Sequence, residues 1–392
     1  MRILTVDVGT GTQDVFLYDS SVDIENGYKL VMPSPTMMVY RELKQAARRG
    51  EPVLLTGYLM GGGPSQWAAR DHVLGGGAVY ATPDAARTFN DDLDYVEREM
   101  GVRVVSDDEA VALRSVLRLE LKDFDFPRLA QAFAAFGVEL DVDAVAVAVF
   151  DHGDAPPGES DRQFRFDYLD RLCRAADPLL PVRSQMAIFA HKAEAVPPSM
   201  TRLRAVANAA RAQGVDVPLL VMDTAPAAVL GVTLDPRVAQ AVPKGALVGN
   251  LGNFHCLVFR LGPAGIEGLF EHHTGEVTQP KLDALISALA NSTLQHHDVY
   301  NDMGHGALVY DQRPMPSKGA TPPYFLALSG PRRGLMAGSA HQPYLAVPFG
   351  DMMLAGCFGL LRAAAEVYPD FAGPIQQSLR GGTGRPPWEA QA

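Results

Sequence analysis

The chain has 392 residues, 47% apolar and 20% charged, which accommodates two domains or one large α/β unit and argues against disorder. A formal net charge of −11 speaks against a nucleic-acid footprint or a polybasic membrane surface, and no apolar run reaches the length of a membrane span. Cys173, Cys256 and Cys357 lie too far apart for a disulfide framework or for iron–sulfur or zinc spacing, so a reducing cytoplasm is the expected location.

Strand-like apolar runs alternate with amphipathic helical ones almost throughout, which predicts an α/β fold. The first strand, 2–8, carries no signal-peptide pattern. It runs into Gly9-Thr10-Gly11-Thr12 and a second strand over 14–19, with Asp7 and Asp14 on either side of the turn. Hairpins favour Asn-Gly turns and gain little from two threonines. Glycines that admit a close ligand, hydroxyls and N–H groups that donate, and a carboxylate that holds hydrated Mg²⁺ together suit a phosphate. A helix is expected over 36–49 and a strand over 53–58. Gly61-Gly62-Gly63 then precedes a helix over 65–74, either as a tight joint or as an anion-binding turn. Strands at 78–82 and 102–105 flank a helix at 91–99, where Asp91, Asp92 and Asp94 complement the helix dipole better than they would hold a metal. Next come a helix over 126–136, a strand over 144–150 running into His152, and a helix over 161–175 that includes Arg162.

A proline-bounded seam at 181–200 divides the expected domains, 1–180 and 200–371. The second begins with a helix over 200–213, a strand over 218–222 and a helix over 223–231 headed by Asp223. Strands at 245–249, 255–261 and 266–271 follow. ALVGNLGNFHCLVFRL (246–261) repeats the opening order of strand, glycine-containing polar turn and strand, which suits a duplicated fold with a cleft between its halves. Gly249, Asn250, Gly252, Asn253 and His255 mark this second turn. Its amides can bind phosphate or order Mg²⁺ water, but they cannot serve as a carboxylate base. Glu271, His272 and His273 suggest a polar substrate pocket together with His152 and Arg162. A zinc site ranks below that reading, because HEXXH is absent and adjacent histidines on a strand face opposite ways. After a helix at 279–291, an irregular loop at 311–323 and a strand at 324–328, Ser329-Gly330-Pro331-Arg332-Arg333 reads as a helix cap or as a stacking platform for a base. A helix over 350–367 leads to a Gly-, Pro- and Gln-rich stretch, 372–392, expected to be a flexible tail.

The order of these segments resembles the actin, Hsp70 and sugar-kinase superfamily. DVGTGTQD (7–14) resembles its first phosphate hairpin, and AVAVAVFDHGDAPPGESDRQ (144–163) the strand and turn that end its first domain. VMDTAPAAVLGVTLD (221–235) resembles the helix that crosses between domains, and GNLGNFHCLVF (249–259) the second phosphate hairpin. FLALSGPRRGL (325–335) resembles the adenosine motif, and GDMMLAGCFGLLRAA (350–364) the closing helix. More narrowly, TGYLMGGGP (56–64), FDHG (150–153), EHHTG (271–275) and NDMGHG (301–306) resemble a family within it labelled pyruvate formate-lyase activating enzyme.

The superfamily resemblance implies two ribonuclease-H-like domains around a cleft for ATP and Mg²⁺. Asp7, Asp14 and Asp223 would be the catalytic acids, with Asp7 and Asp223 holding Mg²⁺ through water. Gly9, Thr10, Gly11, Thr12, Asn250, Gly252 and Asn253 would meet the phosphates, and Ser329, Gly330, Arg332 and Arg333 the adenosine. The pocket for a small polar or anionic substrate would comprise Gly61, Gly62, Gly63, His152, Arg162, His255, Glu271, His272 and His273. The expected activity is that of an ATPase or small-molecule kinase. The alternatives are a non-catalytic nucleotide switch read by a protein partner, and a histidine-dependent metal enzyme on the same fold.

Overall fold

The computed structural model describes residues 1–316, 324–381 and 387–389, and shows a mixed α/β fold with three sheets. The first sheet contains β1 (Arg2–Val8), β2 (Thr12–Asp19), β3 (Tyr28–Pro33), β8 (Ala144–Val149), β9 (Ala190–Lys192) and β10 (Leu219–Asp223), in the order β3-β2-β1-β8-β10-β9. The second contains β11 (Ala246–Leu251), β12 (His255–Gly262), β13 (Gly265–His273), β14 (Gly306–Val309), β15 (Leu326–Ser329) and β16 (Tyr344–Leu345), in the order β14-β13-β12-β11-β15-β16. A smaller all-parallel sheet, β6-β5-β4-β7, is built from β4 (Val53–Gly57), β5 (Val79–Ala81), β6 (Arg103–Val104) and β7 (Leu117–Leu121).

Period-2 alternation explains how the first sheet is covered on both faces. In β8, AVAVAV, the valines Val145, Val147 and Val149 join Leu203, Val206 and Ala210 of the helix Thr201–Ala212. The alanines Ala144, Ala146 and Ala148 face a second core. That core also takes Val248, Leu257 and Phe259 of the second sheet, so one apolar layer is common to both sheets. The helices Thr224–Val232 and Ala355–Val367 fill the layer, and glycine lets them cross at backbone contact. A Cβ on Gly231 would collide with the Ala355 carbonyl, and one on Gly359 with that of Ala227.

The long expected elements appear near their expected limits. β3, β7, β9, β14 and β16 were not expected. β9 and β16 are too short to show a period, whereas β7, LRLEL, alternates leucine with charge, and β3 exposes Tyr28, Val31 and Met32. The helix expected from 350 begins at Ala355, because Phe349 and Gly350 take left-handed φ angles of 50° and 77° that cannot continue a helix. The tail expected from 372 is helical through Leu379 (helix Pro369–Leu379). Ile375 is buried there, and the Ser378 hydroxyl lies 2.8 Å from that of Tyr18. Residues 317–323 of the expected loop 311–323, and most of the chain beyond Gly381, lie outside the described residues. Among the described residues, no helix is long and apolar enough to cross a membrane.

Candidate functional site

Two hairpin turns share one hydrogen-bond design. Gly9 N–H donates to the Thr12 carbonyl at 2.9 Å, and Gly252 N–H donates to the His255 carbonyl at 2.9 Å. Counting from these bonds, Asn250 stands where Asp7 stands and His255 where Thr12 stands. The turns meet tip to tip, since a Cβ on Gly11 would lie 2.8 Å from Asn253 Nδ2. Between them opens a cavity of about 380 Å³, lined by Gly9, Thr10 and Thr12 from one turn and by Asn250, Gly252 and Asn253 from the other. Ser329 and Gly330 close one side, and Gly61, Gly62, Gly63, His152 and His255 line another.

Asp7 and Asp14 are register partners across β1 and β2, and both line the cavity. Burial, with Asp223 nearby, pushes the Asp7 carboxyl up to about 7 even though Thr224 Oγ1 donates to its Oδ1 at 2.5 Å. Burial and the Asp7 charge push Asp14 up to about 8, and its Oδ1 is buried without a hydrogen-bond partner among the described residues. Two crowded carboxylates, one with an idle oxygen, have the chemistry of a site for a hydrated hard cation. Gly356 makes the crowding feasible, because a Cβ there would strike the Asp7 carboxylate.

Asp223 does not join them. Its oxygens accept from Arg165 Nη1 at 2.6 Å and Nη2 at 3.2 Å, and it caps the following helix through Ala225 N–H. Of the three expected acids, Asp7 and Asp14 line the cavity, and at that strand–helix corner Thr224 and Ala225 line it. Arg165 is fully buried and also binds both oxygens of Glu271, at 2.8 Å each. Its guanidinium lies over the Phe150 ring at 3.8 Å, and that ring stacks on His255 at 3.8 Å and 1°.

Around this stack the chain gathers histidines. His152, His255 and His305 each offer a ring nitrogen, and these three atoms lie within 4.8 Å of one another. Enclosure lowers the pKa of all three, to about 3 for His152, so the rings are neutral. His273 stands beside them, 4.7 Å from His305 and 5.0 Å from His255 between ring centroids, with Nδ1 hydrogen-bonded to the Met303 carbonyl at 2.7 Å. His272 faces the other way, toward Asp302, as the alternation of a strand requires.

Several expected pocket residues do other work. Arg162 donates to the Tyr300 and Gly304 carbonyls at 3.0 and 2.6 Å, which anchors the loop before His305. Glu271 is buried beneath the cavity on Arg165. Arg333 folds back onto the Gly330 carbonyl and Arg332 is exposed, in a turn that leads to a 3₁₀ segment rather than an α-helix. Arg202 was not anticipated. It lines the cavity while gripping Asp123 at 2.6 and 2.9 Å and the Phe150 carbonyl at 2.8 Å, and Asp123 also accepts from Gly61 N–H. Asp91, expected to be a solvated helix-start acid, lines the cavity too, where burial and the neighbouring Asp154 raise it to about 6. On a helix, Arg165 and Arg202 resemble any solvated arginine, and only His305, in a Gly-His-Gly run, carried a local signal.

The cysteines are dispersed. Cys173 lies on the helix Asp161–Ala175, Cys256 donates to the His272 carbonyl, and Cys357 donates to the Asp14 carbonyl. Trp67 of the helix Pro64–Leu74 packs on Phe254 at 5.8 Å, beside Gly63.

No curated protein matches the chain. Among solved structures, nucleotide-free acetone carboxylase, from work on ATP-dependent acetone carboxylation, aligns at 10% identity over 68% of this chain and 45% of its own, with a TM-score of 0.20. The chain thus spans less than half the length of that protein, at a likeness too low to carry fold or function. A family model matches residues 60–335, well over half of the chain, and the chain belongs to that family, described as "Putative pyruvate format-lyase activating enzyme (DUF1786)".

Proposed function

We propose that the chain is a Mg²⁺-dependent ATP-binding protein of the actin-like fold, acting as an ATPase or phosphotransferase on a small polar or anionic substrate. The observation that carries this reading is the pair of like-bonded turns facing one another across a single cavity. The sheet orders support it: β3-β2-β1-β8-β10 and β13-β12-β11-β15-β16 follow the same sequence of three antiparallel strands and then parallel neighbours. That correspondence supports reading the chain as two ribonuclease-H-like halves, with the small third sheet inserted in the first. In this reading β10, which pairs with β8, is counted with the first half.

In this reading the turn N–H groups and the Thr10 and Thr12 hydroxyls bind phosphate oxygens, and the Ser329–Gly330 turn takes the adenosine. Asp7 and Asp14 are the residues that would hold hydrated Mg²⁺, which supplies charge neutralisation for the phosphates. The Gly61–Gly63 joint and Arg202 border the substrate end of the cavity, where a fixed cation suits an anionic group. The activity in the family's description requires an iron–sulfur cluster on closely spaced cysteines, and Cys173, Cys256 and Cys357 do not fit one.

Calorimetric titration with ADP and ATP, with and without Mg²⁺, tests the reading. Micromolar, Mg²⁺-enhanced binding is expected, and dissociation constants weaker than about 1 mM for both nucleotides reject it. A nucleotide switch is favoured by one observation: every carboxylate lining the cavity (Asp7, Asp14, Asp91, Asp151 and Asp161) precedes Asp223, so the second hairpin contributes none. Asp14→Asn separates the two. Lost turnover with retained binding marks an enzyme, and equal, negligible turnover in both proteins marks a switch.

A further inference from the structure

Nucleotide binding leaves the histidine cluster without a task. Three imidazoles from three distant segments converge there: His152 after β8, His255 at the start of β12 and His305 just before β14. His305 is delivered with care. Its N–H donates to the Glu271 carbonyl at 2.9 Å, and Arg162 clamps the preceding residue, Gly304. Despite that placement, both of its ring nitrogens are buried with no hydrogen-bond partner among the described residues. Nδ1 comes within 3.3 Å of Glu271 Oε1 but outside hydrogen-bond geometry. A fully buried imidazole with two idle nitrogens is an anomaly that a ligand would relieve.

We infer that His152, His255 and His305 bind one divalent first-row transition ion of the zinc class at the edge of the phosphate cavity. Their ligand atoms lie within 4.8 Å, and an ion would draw them to the separation of about 3.4 Å that tetrahedral bonds of about 2.0–2.1 Å require. Imidazole without carboxylate favours zinc, copper, iron or nickel over magnesium, which separates this site from the Asp7–Asp14 pair. The outer shell is in place. Glu271 stands behind His305, Phe150 fixes the plane of His255, and Arg165 is matched by two carboxylates, which leaves that trio a net negative charge toward a cation. With Nδ1 engaged by Met303, His273 has only Nε2 left to offer as a fourth ligand. Because His152 and His255 line the cavity, an exchangeable coordination position would open into it. An oxygen donor, a carboxylate or phosphate group of the small substrate, is the class of ligand that position takes.

The full chain, purified without chelator or added metal, is subjected to elemental analysis, then stripped and titrated with Co²⁺, whose visible absorption reports ligation by histidine. About one transition ion per chain and saturable Co²⁺ uptake, reversed by Zn²⁺, are expected. His305→Ala and His255→Gln should each weaken Co²⁺ binding by roughly 100-fold or more, whereas His272→Gln, which faces Asp302, should bind as the wild type does. Near-ultraviolet circular dichroism checks the fold of each variant, and His255→Gln serves if His305→Ala does not fold. Trace metal with no Co²⁺ absorption at about 1 mM, or equal affinity in all four proteins, overturns the inference and leaves an aromatic cluster. ADP titration of the same stripped protein keeps a failure here distinct from a failure of the nucleotide reading.

Discussion

Asp7 and Asp14 bring two buried carboxyls face to face, and the linkage to stability has a definite sign. An unfolded aspartate ionises near 3.8, whereas the folded pair keeps its protons to about 7 and about 8. Between those limits the native state holds more protons than the unfolded one, so this contribution is greatest at low pH and is lost as pH rises toward 8. In protein free of metal and nucleotide, Asp14→Asn should shrink the difference in urea-unfolding free energy between pH 5 and pH 8 by about 1–3 kcal/mol. An unchanged difference would show that Asp14 ionises normally. Arg165 poses the opposite case, a buried cation whose removal strands Asp223 and Glu271. Arg165→Met should cost about 3–5 kcal/mol in the same assay, and Arg165→Lys should recover little, since one ammonium cannot replace two forked contacts. The two residues also differ in legibility. Asp14 announces itself because its turn is local and oddly polar, whereas Arg165 owes its role to partners 58 and 106 positions away.

At the scale of elements, the crossing of Thr224–Val232 with Ala355–Val367 is the tightest joint in the core. Gly359→Ala must push against the Ala227 carbonyl and should cost at least about 2 kcal/mol. Gly373→Ala, in the helix Pro369–Leu379 with open space around its Cβ position, should be neutral or stabilising by up to about 1 kcal/mol. Equal thermal shifts for both variants would contradict this account of the joint. The glycine and alanine spacing around Gly356 and Gly359 was readable in the chain, and so were the long helices and buried strands, because each carries its own period. β3, β9, β14 and β16 were not, and β7 shows its alternation over only five residues. Short or exposed strands are made by the neighbour they pair with, which for β7 is β4, some 64 residues away, and for β3 is the strand just before it. The helix over 369–379 escaped for a related reason: Gly373 and Pro374 suggest a break, but Ile375 and Ser378 find a home against distant residues such as Tyr18.

For the molecule as a whole, the repeated hairpin was the feature of the chain that pointed to a cleft, and the cavity lies where the two turns meet. Less legible was the rest of its border, because Arg202 and Asp91 reach it from segments with no mutual pattern. Trp67 packs on Phe254, which lines this cavity, and so joins the small parallel sheet's helix to the second hairpin turn. The chain has only one other tryptophan, Trp388, which is 83% exposed. Trp67 is 55% exposed, poised between ring contact and water. The protein therefore carries its own optical gauge: in a Trp388→Phe background, any ligand that draws the jaws together or parts them should shift the emission of a single indole, and Phe254→Ala should silence that response. Stopped-flow fluorescence could then time the opening and closing of the cleft with no dye attached.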